Sequence, residues 1–415
     1  MNLRPPIAGL SLDRRAFVTG LGALGGLALV SSRAGGAVKL FASELAPSGD
    51  APRVLLLVQL TGGNDGLSTV VPFGDDAYHA ARSTLAFAKS DVLPLDDYKG
   101  LHGELKGLRK LFDAGRLAIV EGVGYPNPIR SHFKSYEVWH TADPRGRASG
   151  EGWIGKLSAA AWRDVSDPNL VVHVGANVPY SLESATHPPA AFVNPASYRW
   201  AGEKEDVEAF GKMGETEGAK AESNLDFLRR KVADSQASSQ KIRTAVARYR
   251  TTTEYPDDPF GGALRDVAAL VDGGLGTRVV SVELSGFDTH TNQKARHDAL
   301  MRQLDRGLSA LAADLEKSAA GKQVVGLVFS EFGRRVKENG SRGTDHGVAA
   351  PCFVFGSAVK GGLYGKHPSL VDLDAGDVKH TTDFRSVYAT LIERWFGVDA
   401  AKVLGASYPR LGFLA

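Results

Sequence analysis

The sequence predicts an α/β fold: a doubly wound, mainly parallel β-sheet with helices on both faces. Short apolar runs rich in β-branched residues alternate along the chain with longer segments of helical periodicity. The chain has 415 residues, of which 43% are hydrophobic and 23% charged, so it can bury a large core. In a covered parallel sheet, functional groups lie in the turns that follow the strands, and we expect the site there.

The apolar runs predict five buried strands, at residues 54–60, 117–122, 170–174, 278–284 and 324–329. Helical periodicity predicts helices between and after them, at residues 103–114, 131–140, 262–271, 293–315 and 384–396. The polar, charged stretch 199–257 is expected to form a helical insertion or cap on the sheet. We expect one α/β domain over residues 53–415, which includes this insertion.

The N-terminus carries paired arginines, Arg14 and Arg15, before Phe17 and an apolar stretch at 18–30. This pattern predicts a twin-arginine signal peptide, with a linker, over residues 1–46 and cleavage between 34 and 46. The apolar stretch is shorter than the ~20 residues that span a membrane, so no stable span is expected after cleavage. The expected partner in export is the twin-arginine translocase, and the expected location is the periplasm or the medium. A glycine-rich loop or an uncleaved anchor is the alternative.

Charge and cysteine content exclude several classes of protein. The formal net charge of +2 arises from 49 basic and 47 acidic residues without a long run of one sign, so a nucleic-acid partner is not expected. The single cysteine, Cys352, excludes an internal disulfide and a thiolate metal cluster.

Four glycine-containing segments with Asp, Glu or His are expected directly after predicted strands, at 62–66, 286–290, 330–334 and 343–347. Their carboxylates and imidazoles are donors suited to Zn²⁺, Mn²⁺ or Mg²⁺. We therefore predict a divalent metal centre whose ligands are Asp65, Asp288, His290, Glu331 and His346. Its cofactor is expected to be one or two ions of Zn, Mn, Ca or Mg.

Four of the five candidate ligands also have a structural interpretation. Asp65 lies in a Gly-Asn-Asp-Gly turn, where aspartate is common without a metal. Asp288 can act as a cap beside a surface His290, and Glu331 can form an ion pair with Arg334 or Arg335. His346 has the strongest case, because its glycine-flanked loop holds it outside any helix.

Ser131 is the candidate nucleophile, at the start of a predicted helix. There the helix dipole and free N–H groups favour an anion or an alkoxide. The alternative is that Ser131 is simply the N-cap of that helix. Arg130 is expected to clamp a phosphate or sulfate oxygen if its side chain points inward.

Five motifs together resemble a bacterial family of unknown function that is exported by the twin-arginine route and related to sulfatases and alkaline phosphatases. They are LTGGNDGLSTVVP at 60–72, RSH at 130–132, GFDTH at 286–290, SEFGR at 330–334 and GTDHG at 343–347. The resemblance runs from about residue 53 to the C-terminus and implies an alkaline phosphatase-like fold with a two-metal site.

By this resemblance, Asp288, His290 and His346 form one metal position, and Asp65 and Glu331 form the other. Ser131 is the implied nucleophile between them. Phe332 stands where relatives often have a second imidazole, which weakens the second position. The formylglycine signature of sulfatases is absent, because Cys352 does not lie in a Cys/Ser-x-Pro-x-Arg motif.

We therefore expect a metal-dependent hydrolase of phosphate or sulfate esters, acting on a small-molecule or polymer substrate. Arg130 or Arg334 is expected to hold the equatorial oxygens of the transferred group. The competing expectation is a non-catalytic exported binding or assembly protein with a degenerate site, which Phe332 favours.

Overall fold

The structure is a computed structural model that describes residues 51–145, 150–199 and 224–415. The predicted signal segment 1–46 lies outside the described residues, and so does the stretch 200–223 of the predicted insertion. Within the described ranges, no helix is both long and apolar enough to cross a membrane.

A nine-stranded sheet forms the centre of the fold, in the order β11-β5-β10-β9-β1-β8-β6-β7 with β14 also paired to β5. Small sheets form from β2, β4 and β3 and from β12 and β13. In chain order the strands are β1 (Val54–Thr61), β2 (Val70–Val71), β3 (Val92–Pro94), β4 (Gly100–His102), β5 (Leu117–Gly124), β6 (Val171–Val174), β7 (Ala190–Phe192), β8 (Val279–Ser285), β9 (Val324–Phe329), β10 (Ala350–Phe355), β11 (Gly362–Tyr364), β12 (Leu373–Asp374), β13 (Asp377–Val378) and β14 (Thr382–Asp383).

The described α-helices vary from four to 25 residues in length. They are α1 (Gly66–Thr69), α2 (Asp76–Ala81), α3 (Lys106–Asp113), α4 (His132–Thr141), α5 (Trp153–Ala161), α6 (Asn224–Arg248), α7 (Pro259–Asp272), α8 (Gln293–Leu315), α9 (Phe384–Thr390) and α10 (Ala400–Leu404). A π-helical turn, Leu391–Trp395, continues α9, so the helix predicted at 384–396 is α-helical only in its first half.

Strand β1 is apolar at nearly every position because both of its faces are covered. Its side chains alternate between two core clusters. Leu55 and Leu57 pack in one cluster with residues of α4, α5 and α9. Leu56 and Val58 pack in the other cluster with residues of α3, α7 and α8. The predicted α/β fold with helices on both faces is thereby confirmed.

Strand β10 departs from the predicted set of strands. It lies between β9 and β5 and is antiparallel to both, whereas the other pairings in the central sheet are parallel. The short apolar run 350–355 is not among the predicted strands, and the segment 343–347, predicted to follow a strand, instead precedes β10. Helix α6 lies in the predicted insertion, and it buries Ile242 in the core cluster that contains Leu56.

The parallel pairing brings the carboxyl ends of β1, β8, β9 and β5 to one edge of the sheet. Because β10 runs in the opposite direction, its amino end lies at the same edge. The loops 62–65, 286–290, 330–334, 125–131 and 343–349 therefore converge there, and they contain every candidate residue predicted from the sequence.

Candidate metal centre

Three imidazoles point at one carboxylate oxygen at this edge of the sheet. The Oδ1 atom of Asp288 lies 3.0 Å from Nε2 of His290, 3.2 Å from Nε2 of His346 and 3.6 Å from Nε2 of His132. The two Nε2 atoms of His290 and His346 are 3.0 Å apart. Asp288 is about half exposed, with 48% of its side-chain surface accessible, so the group is open to solvent.

The Nδ1 atom of each imidazole faces an oxygen that can only accept a hydrogen bond. His132 is 2.7 Å from Glu331 Oε1, and His290 is 3.3 Å from Asp345 Oδ1. His346 is 3.0 Å from the carbonyl oxygen of Arg130. If a metal ion were bound, protons on the Nδ1 atoms would satisfy these oxygens and leave the Nε2 lone pairs free to ligate the ion. This is the arrangement of histidines that ligate a metal through Nε2 and are oriented by a second hydrogen bond.

The charge of Asp288 is fixed by its neighbours. Partial burial acts to raise the pKa of Asp288, but hydrogen bonds from Arg334 and His346 outweigh it and bring the pKa to about 2. The carboxylate is therefore ionised at neutral pH. The hydrogen bond to Glu331 raises the pKa of His132 above its ordinary value.

The donor set fits a transition-metal ion. One ligand atom each from His132, Asp288 and His346 lies within 4.8 Å of the other two. The Nε2 atom of His132 is buried without a hydrogen-bond partner, which is costly for a polar atom unless a ligand completes it. His132, Asp288 and His346 supply two imidazole nitrogens and one carboxylate oxygen, donors that suit Zn²⁺, whereas Ca²⁺ and Mg²⁺ prefer oxygen ligands. Nε2 of His290 lies 3.0 Å from both Asp288 Oδ1 and Nε2 of His346 and is a candidate fourth donor. Which ion the group binds stays a prediction.

Glu331 was predicted as a direct ligand, but in the structure its carboxylate contacts Nδ1 of His132, on the side of that ring away from Asp288. It is fully buried, and its Oε1 accepts hydrogen bonds from His132 and from the backbone N–H of Gly62 at 3.0 Å. Its Oε2 lies 3.0 Å from the hydroxyl of Ser330. These contacts make Glu331 the residue that orients His132.

Asp65 was predicted as a ligand too, and the structure pairs it with a cation of the protein. Arg82 donates to both carboxylate oxygens, at 2.6 and 2.9 Å, and both side chains are fully buried. Burial acts to raise the pKa of Asp65, but the charge and hydrogen bonds of Arg82 overcome it and hold that pKa well below its ordinary value. Asp65 also caps α1 by accepting from the N–H of Leu67.

The two arginines expected to hold ester oxygens donate to protein groups. The buried Arg334 donates to the carbonyl oxygens of Gly62, Gly63, Phe287 and Thr344 and to Asp288 at 2.7 Å. The side chain of Arg130 forms a salt bridge with the buried Asp377. Both arginines therefore organise the loops in this structure, and a direct contact of either with an ester stays a prediction.

Ser131 occupies the N-cap position of α4 with an extended backbone, but its side chain makes no capping hydrogen bond. The predicted N-cap position of Ser131 is therefore confirmed, although the Ser131 side chain makes no capping hydrogen bond. Its hydroxyl is available next to His132, and the first N–H groups of α4 have no intrahelical partner. The nucleophilic role of Ser131 stays a prediction that this geometry permits.

His132 joins the candidate ligands in the structure, although the sequence analysis does not predict it as one. It follows the candidate nucleophile in the Arg-Ser-His motif, and this adjacency was the available signal. Phe332 packs against both His132 and His346, with ring centroids 4.8 Å apart in each case. An aromatic ring therefore lies against two of the proposed ligands and limits their rotation.

A family of proteins of unknown function, DUF1501, matches this chain over residues 119–406. The chain belongs to the DUF1501 family. The matched range includes four of the five motifs, and it omits the Asp65 segment. The family assignment confirms membership in a family of unknown function, while twin-arginine export stays a prediction. No curated protein matches this DUF1501 chain.

Solved structures similar to this DUF1501 chain include a complex of Ps i-CgsB with k-i-k-neocarrahexaose, at 11% identity and a TM-score of 0.40 over 87% of this chain and 75% of that one. A Vibrio parahaemolyticus protein of the alkaline phosphatase superfamily is 11% identical, with a TM-score of 0.39 over 87% and 70%. A 2-O GAG sulfatase, BT1596, is 10% identical, with a TM-score of 0.37 over 87% and 72%.

Proposed function

We propose that the protein is an exported, metal-dependent hydrolase of phosphate or sulfate esters. The observation that carries this proposal is the convergence of three Nε2 atoms on Asp288 Oδ1, one of them from His132, which directly follows Ser131. His132, Asp288, His290 and His346 would hold the ion, and Zn²⁺ or Mn²⁺ fits these donors best. Such an ion would lower the pKa of a nearby hydroxyl and neutralise charge on the transferred group.

The remaining chemistry falls to Ser131 and the first turn of α4. The free N–H groups of that turn are suited to bind the anionic oxygens of the ester. Ser131 Oγ loses its proton to solvent and bonds to the phosphorus or sulfur atom, while the ester oxygen leaves and takes a proton from water. A second water molecule then releases the inorganic anion and restores the hydroxyl.

Two further parts of the proposal rest on the sequence. Arg14 and Arg15 before the apolar stretch 18–30 support export by the twin-arginine route and a periplasmic or secreted location. The second candidate function is a non-catalytic binding protein, and the pairing of Asp65 with Arg82 favours it because one predicted ligand is engaged elsewhere.

Paired substitutions test the proposal. The full chain is loaded with Zn²⁺ or Mn²⁺ and assayed against phosphomonoesters, phosphodiesters and sulfate esters. We expect His346→Ala to lower metal affinity and hydrolysis together by orders of magnitude, and Ser131→Ala to keep the metal while turnover falls. His79→Ala, which changes an exposed histidine outside the group, is the matched control. Metal binding without turnover of any ester would support the binding-protein function instead.

A further inference from the structure

Whether the protein holds one ion or two depends on Asp65 and Glu331, the two residues that the sequence assigned to a second metal position. A second ion would need free lone pairs on both carboxylates and an open space between them. Both side chains are fully buried, and both carboxylates already have hydrogen-bond partners. Their contacts identify what neutralises each charge.

The charge of Asp65 is neutralised by Arg82, whose five N–H donors all have acceptors within the protein. In addition to Asp65, the guanidinium donates to the carbonyl oxygens of Val336 and Arg335, each at 2.9 Å, and to the hydroxyl of Ser68 at 3.0 Å. A guanidinium that is fully buried and bidentate to a carboxylate stays charged, and removing it would leave an unpaired buried anion. Arg82 is therefore a permanent cation at the place where an ion would have to bind Asp65.

Gln293 connects this ion pair to the loops that carry the proposed ligands. Its Nε2 donates to Asp65 at 2.5 Å, and its Oε1 accepts from the hydroxyls of Thr289 at 3.0 Å and Thr344 at 2.6 Å. Thr289 lies between Asp288 and His290, and Thr344 lies two residues before His346. Gln293, Thr289 and Thr344 are all buried. Through Gln293, the Asp65–Arg82 ion pair is thus hydrogen-bonded to both loops that carry the proposed ligands, 286–290 and 343–349.

We infer that the protein binds one metal ion per chain, that the Arg82 guanidinium takes the place of a second ion, and that Asp65 is a positioning residue. This inference rests on the metal centre of the proposed function and adds its stoichiometry. It also assigns Asp65 and Arg82 a task that does not require contact with the ester.

The test counts ions on the metal-free full chain. Co²⁺ is titrated with visible absorption as the readout of coordination, and Zn²⁺ bound after desalting is measured by elemental analysis at protein concentrations well above the dissociation constant. We expect one equivalent for the unmodified chain and for Asp65→Asn, and none retained by His346→Ala. The Co²⁺ spectrum of Asp65→Asn should keep its ligand set, and its affinity should fall by less than the about 10–100-fold expected for a residue hydrogen-bonded directly to a ligand.

If Asp65→Asn does not fold, Glu331→Gln is used in the same count of bound metal ions. Glutamine at 331 can keep the hydrogen bonds of Glu331, the other residue predicted for a second metal position. Two equivalents on the unmodified chain, one of them lost in Asp65→Asn or Glu331→Gln, would overturn the inference and leave the proposed function standing. One equivalent without turnover of any ester would support the inference and contradict the proposed function. A chain that binds no ion would overturn both.

Discussion

Replacing Glu331 by glutamine removes one charge from behind the candidate metal centre and leaves its hydrogen bonds possible. The glutamine Oε1 can accept from His132 Nδ1 and from the N–H of Gly62, as the glutamate does. Its Nε2 can donate to the hydroxyl of Ser330, which already lies 2.7 Å from the carbonyl oxygen of Leu60 and can donate there. Since no buried polar atom loses its partner, the fold should persist.

The expected loss of metal affinity therefore comes from removing the negative charge next to Nδ1 of His132. An imidazole hydrogen-bonded to a carboxylate is a stronger metal donor than one bonded to an amide. Substitutions of such orienting partners typically weaken metal binding about 10–100-fold, which corresponds to about 1.4–2.7 kcal/mol. Removing a direct ligand weakens metal binding more than removing the group that orients it. His132→Ala should therefore lower metal affinity by a larger factor than Glu331→Gln.

The assay is a competitive Zn²⁺ titration of the full chain at neutral pH, with circular dichroism and thermal unfolding recorded in parallel. Glu338→Gln is the matched control, because Glu338 is a hydrogen-bonded carboxylate whose partners are the hydroxyls and N–H groups of Ser83, Thr84 and Leu85. An unchanged affinity in a folded Glu331→Gln variant would refute the orienting role. Loss of all binding in the folded variant would make Glu331 a direct ligand.

Three other predictions concern ligation, stability and export. His132→Ala should abolish saturable Zn²⁺ binding at micromolar concentrations without unfolding the chain, which isothermal titration calorimetry and circular dichroism can check. Asp314 accepts hydrogen bonds from four hydroxyls, so Asp314→Asn should lower the free energy of unfolding by about 3 kcal/mol in urea titrations at pH 7, with the exposed Asp272→Asn as control. Burial acts to raise the pKa of Asp314, but the hydrogen bonds from these hydroxyls outweigh it and hold the pKa below its ordinary value. The ionised carboxylate therefore stabilises the fold above its unfolded pKa, and this stabilisation is lost as pH falls through the folded pKa. The difference in free energy of unfolding between Asp314→Asn and the unmodified chain should then vanish. Lysine at both Arg14 and Arg15 should leave the precursor in the cytoplasm in a fractionation experiment, and unchanged export would remove the twin-arginine interpretation.

The central strands and helices could be read from local patterns because both faces of the sheet are covered. Strand β9 coincides with the apolar run predicted at 324–329, and helix α8 with the periodic segment 293–315. The direction of β10 could not be read in this way, because an apolar run of six residues is compatible with either direction. Direction is set by how the preceding loop returns to the sheet, and that depends on long-range pairing.

The sequence by itself determined the edge of the sheet where the polar residues meet, because glycine-rich turns with Asp, Glu and His follow strands that must be parallel. It also singled out Asp288, His290 and His346, which the structure brings together. Only the tertiary structure decided which of the remaining residues join them. His132 faces Asp288 because the first turn of α4 is hydrogen-bonded to Glu331, in the loop after β9. Asp65 faces Arg82, a pairing of two buried side chains that local sequence does not reveal. A buried carboxylate must be neutralised by some cation, and whether a metal ion or an arginine does so depends on which chain segments fold against it.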